Sequence, residues 1–573
     1  MPRVPDLSAY AGYWVACVRG RVAGVGRTRD EAYRSAKSAR RREEPEVIYV
    51  PPREDGPLRA TDEAIRRLGR LREGNASAPY AASQAAVARV AELMGLWEPD
   101  AFLVGGSVRD FLLGRAMRDV DLVVPRDALT IGRRLADALG GAFYPLDEER
   151  DVARVLFSWE GESYSADVAA FRGQDLEADL RGRDFTINAM AMPLSDMGRE
   201  AIVDPTGGLR DLATGILRPV SEATFRDDPV RLLRAVRFVH ELALVLAPGL
   251  EQALAAQAAR LATVSPERIR DETNRMAVLP AFGKCLRDMD RLGLLDVVLP
   301  ELSPLRGLPQ PPPHHWDALE HSMRAVEAVE ALANALLDGL TEGPWAEFTA
   351  ALGALRPRVA DYLMAAVAPA ESRLVLLKLA AALHDVGKPA TRTEEKGRVR
   401  FFGHPAVGAQ MAADALARLR YSAAGAALVS DVVREHMWLL SLVRTRQVTN
   451  RALYRFHRAL GGGAVATALL FLADLFATQV VERDPNWPAA QAIVRRVIQA
   501  CLTEPHIVSP QPVVNGRDLM ASLGVGEGPT IGLLLDAIRE AQAEGKVTTR
   551  EEALALAEKV LKRQQRVRRD GGR

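Results

Sequence analysis

Residues 102–124 read FLVGGSVRDFLLGRAMRDVDLVV, and this stretch decides the fold of the central part of the chain. A short apolar run is followed by a glycine pair and then by apolar residues at helical spacing, which predicts a strand, a tight turn and a helix. Glycines let backbone N–H groups approach a phosphate closely, and the start of a helix favours anions. The turn therefore predicts a phosphate site at Gly105, Gly106 and Ser107, with Arg109 as a further contact.

The second strand of this stretch carries two carboxylates. Asp119 and Asp121 are two residues apart, and alternate residues of a β-strand share a face. Both carboxylates should therefore point to one side, while Val120 and Leu122 point into the core. Two carboxylate ligands suit Mg²⁺, which binds few protein oxygens together with substrate phosphates, whereas burying them without a cation is costly. The strand predicts a Mg²⁺ site with catalytic Asp119 and Asp121.

A third carboxylate is a candidate for the same site. Asp167 lies in the run Tyr164–Ala170, whose small and apolar residues predict another strand. Its carboxylate could join the catalytic pair, or it could simply be a solvated residue near a strand end.

Several motifs of this region occur in the order of one known family. They are residues 105–110 (GGSVRD), 119–121 (DVD), 183–191 (RDFTINAMA), 204–208 (DPTGG), 227–238 (DDPVRLLRAVRF) and 267–272 (ERIRDE). Together they resemble the class II CCA-adding tRNA nucleotidyltransferase/poly(A) polymerase family over roughly residues 100 to 300. The resemblance implies a polymerase-β-like α/β head and Mg²⁺-dependent attack of an RNA 3′-hydroxyl on the α-phosphate of CTP or ATP, with pyrophosphate leaving. A two-metal reaction fits the acidic strand.

The resemblance also assigns nucleotide contacts outside the glycine turn. In the family, the segment that matches Arg183, Asp184 and Asn188 binds the ribose. Most relatives have a second arginine where this chain has Gly182, so the resemblance leaves one sugar or phosphate contact unassigned here without changing the expected reaction.

The family reads the base with a helix start that matches Asp227, Asp228 and Arg231, although its usual first residue is Glu. We expect Asp228 and Arg231 to share a helical face because they are three residues apart. A carboxylate accepts from an amino group and a guanidinium donates to a ring nitrogen, so the pair would accept cytosine and adenine and reject uracil and guanine. Arg234 continues the basic face and is a further candidate contact.

A second motif lies further along the chain. The apolar helix predicted at Leu374–Leu383 ends in His384-Asp385-Val386-Gly387-Lys388-Pro389, which resembles the HD metal phosphohydrolase superfamily over about residues 310 to 480. The resemblance implies one divalent metal with the ligands His321, His384, Asp385 and Asp474. His404 and His436 would bind a second metal or a substrate phosphate. Imidazole and carboxylate ligands suit a divalent transition metal or Mg²⁺, and the module could be catalytic or purely structural.

The expected architecture has six parts, and most of the chain after the head is predicted to be helical. They are a small α+β domain at 1–52, a linker and helix at 53–95, the nucleotidyltransferase head at 96–217, a helical neck with base recognition at 218–305, the HD body at 306–482 and an RNA-binding tail at 483–573. The first part resembles a small uncharacterised domain, with a hairpin predicted around Arg19-Gly20. The run Val514–Leu519 resembles the tail of long bacterial family members and would contact the tRNA elbow or acceptor stem.

Composition limits the classes of function. The 573 residues carry a net charge of +1, so any RNA contact must come from local patches, with candidates at residues 34–42 and 562–569. The three cysteines match no zinc or redox spacing, which favours a reduced, cytoplasmic protein. We expect no membrane span, because the best candidate, Val465–Val481, contains Asp474. No feature of the sequence indicates an oligomeric state.

The predicted function is addition of CMP and AMP from CTP and ATP to the 3′ end of tRNA. Addition of only CC or only A fits the same motifs. Poly(A) polymerase is one alternative, and a phosphohydrolase whose head has become an RNA-binding module is another; the intact Asp119/Asp121 pair argues against the latter.

Overall fold

The computed structural model describes residues 14–18, 21–26, 28–39, 45–49, 78–197, 201–340, 342–478 and 486–570. The chain divides into two compact units, Met1–Arg231 with Glu241–Gln257, and Leu232–His240 with Ala258–Arg573. Outside the described part of the chain lie the predicted turn residues 19–20, the basic residues 40–42, residues 53–77 of the expected linker and helix, and the side chains of the basic run from residue 566 onward.

Near the amino terminus, a small sheet packs against one helix. It consists of β1 (Trp14–Val18), β2 (Arg21–Gly26), α1 (Arg29–Ala39) and β3 (Glu46–Tyr49), with strand order β2-β1-β3. Strands β1 and β2 pair antiparallel with Val18 opposite Arg21, which confirms the predicted hairpin. Ala16, Ala32 and Ala36 form its small core.

The head is built on a six-stranded mixed sheet. Its strands are β4 (Phe102–Val104), β5 (Asp119–Val124), β6 (Ala142–Asp147), β7 (Val152–Trp159), β8 (Glu162–Ala170) and β9 (Ala191–Pro193). Their order is β6-β7-β8-β5-β4-β9, and only β5 and β8 are parallel neighbours within it. The accompanying helices are α2 (Ala78–Gly95), α3 (Gly106–Leu113), α4 (Ala128–Leu139) and α5 (Leu176–Arg181). The predicted α/β head is confirmed.

Strand β5 occupies an interior position of this sheet. Val120 and Leu122 are both 1% exposed, as the alternation predicts, whereas Asp119 is exposed and Asp121 half-buried on the other face. The two carboxylates are thus carried by a rigid strand rather than by a loop, which fixes their separation.

The first unit continues beyond the sheet. Its remaining elements are α6 (Gly208–Thr214), β10 (Ile216–Leu217), α7 (Thr224–Asp227), the start of α8 (Arg231–Glu241), β11 (Val245–Leu246) and α9 (Leu250–Gln257). A Cβ on Gly208 would lie 2.1 Å from the carbonyl oxygen of Thr186, so only glycine allows this approach. The Asp204 carboxylate accepts from the N–H groups of Gly208 and Leu209 at 2.8 and 2.9 Å. The family motif at 204–208 thus has a structural explanation as a helix cap.

The second unit is mainly helical, as predicted. Its body contains α10 (Pro266–Val278), α11 (Phe282–Arg291), α12 (Leu295–Val298), α13 (Ala318–Asp338), α14 (Ala346–Leu352), α15 (Leu355–Met364), β12 (Ala366–Ala368), β13 (Glu371–Ser372), α16 (Arg373–Leu383), β14 (Thr393–Glu395), β15 (Arg398–Arg400), α17 (His404–Arg418), α18 (Ala423–Glu435), α19 (Trp438–Thr445), α20 (Asn450–Leu460) and α21 (Ala464–Ala477). Every residue of α16 from Val375 to Leu383 is buried, which makes it the central helix of the body.

A buried ion pair ties four helices of the body together. The Lys378 ammonium donates to the carbonyl oxygens of Ala277 and Leu279 at 2.8 and 2.6 Å and to a carboxylate oxygen of Glu330 at 3.1 Å. Glu330 also accepts from the N–H of Phe282 at 2.5 Å. Each buried charge therefore has partners, as burial requires.

The tail consists of α22 (Trp487–Thr503), α23 (Pro505–Val508), α24 (Gly516–Leu523), α25 (Pro529–Ala543) and α26 (Arg550–Asp570). Helix α24 begins with a capping box, in which Asn515 accepts from the N–H of Asp518 and Asp518 accepts from the N–H of Asn515. Leu519, Leu534 and Ala553 are among the buried residues of its core. The segment predicted to contact tRNA is therefore a well-capped helix start.

One helical stretch of the described residues, Asn450–Ala477, is long and apolar enough to cross a membrane by length and composition alone. The sequence nevertheless favours no membrane span here, because the stretch contains Asp474, and 67% of its most apolar window is buried inside the protein, as is typical of a core helix.

Candidate active site and candidate metal centre

Three carboxylates meet on one face of the head sheet. Asp121 pairs with Asp167 across the parallel strands β5 and β8, and Asp119 pairs with Ser165. The Ser165 hydroxyl donates to Asp119. Asp167 in turn accepts two hydrogen bonds from Arg154 on β7, each 2.7 Å long. The structure thus brings the three predicted carboxylates together and adds an arginine beside them.

Asp121 lies in an environment that disfavours the charged form of its carboxyl. The pKa of its carboxyl is raised to about 6, mainly by burial and to a smaller extent by the neighbouring carboxylates Asp167 and Asp119. The guanidinium groups of Arg183 and Arg109 act in the opposite direction. A carboxylate that is partly removed from water and lies beside like charges is stabilised by a bound cation, so this environment fits a metal ligand.

The glycine turn lies against these acids. Gly105 has φ +68°, and a Cβ there would lie 2.7 Å from Nη1 of Arg183 and 3.6 Å from Oδ2 of Asp121. The Ser107 hydroxyl donates to the carbonyl of Asp119 and accepts from the N–H of Asp121. Ser107 is therefore committed to strand β5 through its side chain, and a phosphate contact would use backbone N–H groups near Gly106.

The predicted phosphate and ribose residues form one buried chain of hydrogen bonds. Arg109 donates to Asn188 at 2.7 Å and is held bidentate by the adjacent Asp110. Asn188 donates to Asp184 at 3.1 Å. Arg183 is held separately, because its Nε and Nη2 both donate to Asp179. These contacts fix the orientation of each predicted nucleotide contact.

The expected arrangement of Asp228 and Arg231 on one helical face was wrong. Helix α7 ends at Asp227, Asp228 has extended backbone with φ −150°, and the next helix begins only at Arg231. Pro229 explains the break, since a residue before proline is pushed away from the helical region. The base-recognition candidates therefore flank a junction between two helices.

Arg231 is nevertheless held in a defined position. Its Nη2 donates to the carbonyl oxygen of Gly182 at 3.0 Å, and its Nη1 donates to that of Arg183 at 3.3 Å. Gly182, at which this chain departs from the family, thus contacts Arg231 through its backbone carbonyl. Arg234 belongs to the second unit, where it faces Glu272 at 3.9 Å.

In the second unit, the four predicted histidines and two aspartates form a buried cluster. The rings of His384, His404 and His436 each donate Nδ1–H to the backbone carbonyl three residues earlier, at 2.7 to 2.8 Å. In the neutral ring this bond fixes the proton on Nδ1 and leaves the Nε2 lone pair available to a metal, as in metal-binding histidines. Burial lowers the pKa of His436 to about 4, with His384 contributing, so its ring is neutral near pH 7.

The two carboxylates complete two groups of ligand atoms. Oδ1 of Asp474 lies 2.9 Å from Nε2 of His321 and 3.7 Å from Nε2 of His384. Asp385 faces both groups, with Oδ2 3.2 Å from Nε2 of His384 and Oδ1 3.3 Å from Nε2 of His404. The trios His321/His384/Asp474 and Asp385/His404/His436 each lie within 4.8 Å, a geometry that could hold two ions.

Comparison with known proteins reveals close relatives. The chain is 36% identical to the A-adding tRNA nucleotidyltransferase of Deinococcus radiodurans, over 80% of this chain and 95% of that protein. It is also 36% identical to the CC-adding tRNA nucleotidyltransferase of Thermus thermophilus, over 80% of this chain and 93% of that protein. The chain belongs to the tRNA nucleotidyltransferase/poly(A) polymerase family. It is therefore a nucleotidyltransferase.

Individual domains of this nucleotidyltransferase match family models. Residues 101–218 match the Poly A polymerase head domain, 318–454 the HD domain, and 409–557 tRNA nucleotidyltransferase domain 2. Residues 6–53 match a family of unknown function. The HD match covers five of the six residues of the buried cluster, and Asp474 lies beyond its end.

Solved structures of the family share the fold. The Bacillus stearothermophilus CCA-adding enzyme in complex with CTP matches with a TM-score of 0.54 at 22% identity, over 86% of this chain and all of that one. The Thermotoga maritima CCA-adding enzyme complexed with tRNA matches with a TM-score of 0.51 at 18% identity, over 86% and 98% of the two chains. The predicted polymerase-β-like head with a helical HD body is confirmed.

Sequence reasoning missed several residues at the two sites of this nucleotidyltransferase. Arg154 carries no signal, because the register between β7 and β8 cannot be read from either strand. In the second unit, Lys388 bonds to Asp385 and to Gln310, and the ring of His314 lies 5.0 Å from that of His321. Lys388 belongs to the quoted HD motif, whereas Gln310 lies in the proline-rich run 309–313, whose residues give no chemical signal of their own.

Proposed function

We propose that this nucleotidyltransferase adds nucleotides from CTP and ATP to the 3′ end of tRNA, completing all or part of a CCA end and releasing pyrophosphate. The observation that carries the proposal is the pair Asp119 and Asp121 on one face of an interior strand, beside the glycine turn at Gly105. The names of the relatives, which are A-adding and CC-adding tRNA nucleotidyltransferases, support the same reaction.

Proteins of this kind are typically metal-dependent, and the donor set of the head fits Mg²⁺. Asp119 and Asp121 would hold it, since carboxylate oxygens suit this hard cation and the raised pKa of Asp121 marks a site that favours positive charge. When bound, the metal supplies activation of the attacking hydroxyl and neutralisation of the triphosphate, in a two-metal reaction. The protein's own part is mainly positioning.

The chain's residues would hold the nucleotide as follows. Backbone N–H groups after Gly105 face the phosphates, and Arg109 stabilises the turn. The Asp184 carboxylate accepts a hydrogen bond from a ribose hydroxyl. Asn188 holds Asp184 in place by donating to it at 3.1 Å. A fixed acceptor of this kind selects a ribonucleotide with little loss of entropy.

Base selection would depend on Asp228 and Arg231. Arg231 is already oriented by the carbonyl oxygens of Gly182 and Arg183, and Asp228 is half-buried beside it. Cytosine and adenine each present an amino group next to an unprotonated ring nitrogen, which matches one acceptor and one donor. Uracil and guanine would leave both groups unpaired. Asp227 and Arg234 are further candidate contacts in this proposal.

A single gel tests the reaction and its specificity. The full-length protein is incubated with labelled CTP, ATP or both, and with tRNA ending at the discriminator base, after C, or after CC. Complete, CC-only and A-only enzymes give different ladders, and a long adenosine ladder on any RNA would favour poly(A) polymerase. Asp119→Asn should abolish addition, whereas Asp137→Asn, an exposed change on α4, should not.

We propose a phosphohydrolase as a second activity. Three rings donate Nδ1–H to backbone carbonyls, so their Nε2 atoms, together with the nearby carboxylates of Asp385 and Asp474, are available to a divalent transition metal or Mg²⁺. Hydrolysis of 2′,3′-cyclic AMP with added Ni²⁺ or Mn²⁺, lost in Asp385→Asn, would support it. Absence of hydrolysis with every metal would leave a structural role.

The remaining assignments concern place and domains. We place the activity in the cytoplasm, in keeping with the free cysteines and the tRNA substrate, and cell fractionation tests this. We assign tRNA binding to the tail, residues 483–573, with base recognition in residues 218–305 and the HD body at 306–482. Filter binding of tRNA to a chain truncated after residue 482 tests the first of these assignments.

A further inference from the structure

Arg154, Asp167 and Asp121 form a row across three neighbouring strands of the head. Arg154 on β7 is directly opposite Asp167 on β8, and Asp167 is directly opposite Asp121 on β5. Directly paired residues of neighbouring strands project from the same face of a sheet. The row therefore runs from the guanidinium of Arg154 to the carboxylate of Asp167 and then to that of Asp121. Asp121 is one of the two candidate metal ligands.

Both oxygens of Asp167 are occupied by the arginine. Nε of Arg154 donates to Oδ1 and Nη2 donates to Oδ2, each at 2.7 Å, which is the bidentate arrangement that arginine and a carboxylate form most strongly. Asp119 accepts instead from the neutral hydroxyl of Ser165. Among the described residues, no arginine hydrogen-bonds to the carboxylates of Asp119 or Asp121.

We infer that Arg154 is a positioning residue, which acts as the permanent counter-ion of Asp167 and keeps that carboxylate out of the metal's ligand set. The inference rests on the proposed function of the head and deepens it. Asp119 and Asp121 then form a two-carboxylate site. Such a site binds a free divalent cation weakly and gains its remaining ligands from the triphosphate, so metal and nucleotide are taken up together.

The charge arithmetic of the pair gives a direct test. Arg154→Gln releases a third carboxylate and leaves one additional negative charge, whereas Arg154→Gln combined with Asp167→Asn replaces a neutral pair with a neutral pair. Binding of Mn²⁺ to the nucleotide-free, full-length protein is followed by electron paramagnetic resonance. The double variant Asp119→Asn/Asp121→Asn is titrated in parallel, so that binding by the buried histidine cluster can be subtracted.

We expect Arg154→Gln to tighten Mn²⁺ binding at the head on the order of tenfold, because the negative charge of Asp167 is then left without its counter-ion on the strand next to Asp121. The neutral double variant should bind within about twofold of the wild type, and Arg154→Lys, which keeps the charge, should lie between wild type and Arg154→Gln. Melting temperatures of all variants verify folding.

Two results would overturn the inference. A loss of tenfold or more in Mn²⁺ affinity in the neutral double variant would make Asp167 a metal ligand. Unchanged affinity in Arg154→Gln would mean that the arginine does not restrain the carboxylate. Because Mn²⁺ binding is measured without RNA or nucleotide, a wild-type protein that adds nothing to tRNA would contradict the proposed function alone.

Discussion

The hydroxyl of Ser107 accepts a hydrogen bond from the backbone N–H of Asp121 over 2.8 Å. The same hydroxyl donates to the carbonyl oxygen of Asp119, so a side chain of the glycine turn links it to the acidic strand at both carboxylate positions. The phosphate-facing turn and the metal-facing strand are thus held as one rigid assembly.

Ser107→Ala should therefore slow nucleotide addition while the protein stays folded. Losing two hydrogen bonds, each contributing about 1 kcal/mol, lets the turn and the strand move relative to each other, and we expect kcat to fall roughly tenfold. Steady-state kinetics with tRNA and CTP measure this. Ser158→Ala, an exposed change on β7, is the matched control. A wild-type kcat in Ser107→Ala would refute the coupling.

Asp228→Ala should relax base selection. Without the acceptor, cytosine loses a partner for its amino group and uracil no longer meets an unpaired carboxylate, so the ratio of kcat/KM for CTP over UTP should drop by about 10- to 100-fold. Competition assays with the two nucleotides give the ratio. Arg226→Ala, an exposed neighbour on α7, should leave it unchanged. An equal fall for both nucleotides would assign Asp228 to general positioning.

The parts that sequence could predict are those fixed by local pattern. The alternation in residues 119–124 specifies strand β5, its inward valine and leucine and its outward aspartates. The prediction that Asp228 lies on a helix was wrong because it extended the helical spacing through Pro229. A residue before proline is pushed out of the helical region of the backbone. The contact between Arg154 and Asp167 was beyond reach, since the register of two antiparallel strands is set by the turn and the packed faces rather than by residue spacing.

The pH dependence of the head should follow Asp121. Its raised pKa of about 6 means that the carboxyl gains a proton, and loses its attraction for a cation, as the pH falls through that value. We expect kcat/KM to decline below about pH 6, approaching tenfold for each further pH unit. Asp167→Asn removes a like charge, which lowers the pKa of Asp121, so the acidic limb should move to lower pH. A shift to higher pH would contradict this account.

Lys378→Met should destabilise the helical body strongly. It leaves the buried carboxylate of Glu330 without its charged partner, and breaking such a pair typically costs about 3 to 5 kcal/mol. Urea unfolding followed by tryptophan fluorescence measures the loss. Combining it with Glu330→Leu should recover much of the stability, because no charge is then left buried, whereas Lys546→Met at an exposed site should be nearly neutral.

The metal content of the histidine cluster should depend on Asp385 more than on any single histidine. Oδ2 of Asp385 faces His384 and Oδ1 faces His404, so this carboxylate contributes to both groups of ligands. In an Asp119→Asn/Asp121→Asn background, Mn²⁺-loaded protein should retain two ions after gel filtration. His404→Ala should retain one, and Asp385→Ala should retain few or none. His506→Ala, at an exposed position, should retain both. Elemental analysis gives the count, and a single ion in both the background protein and His404→Ala would exclude the second site.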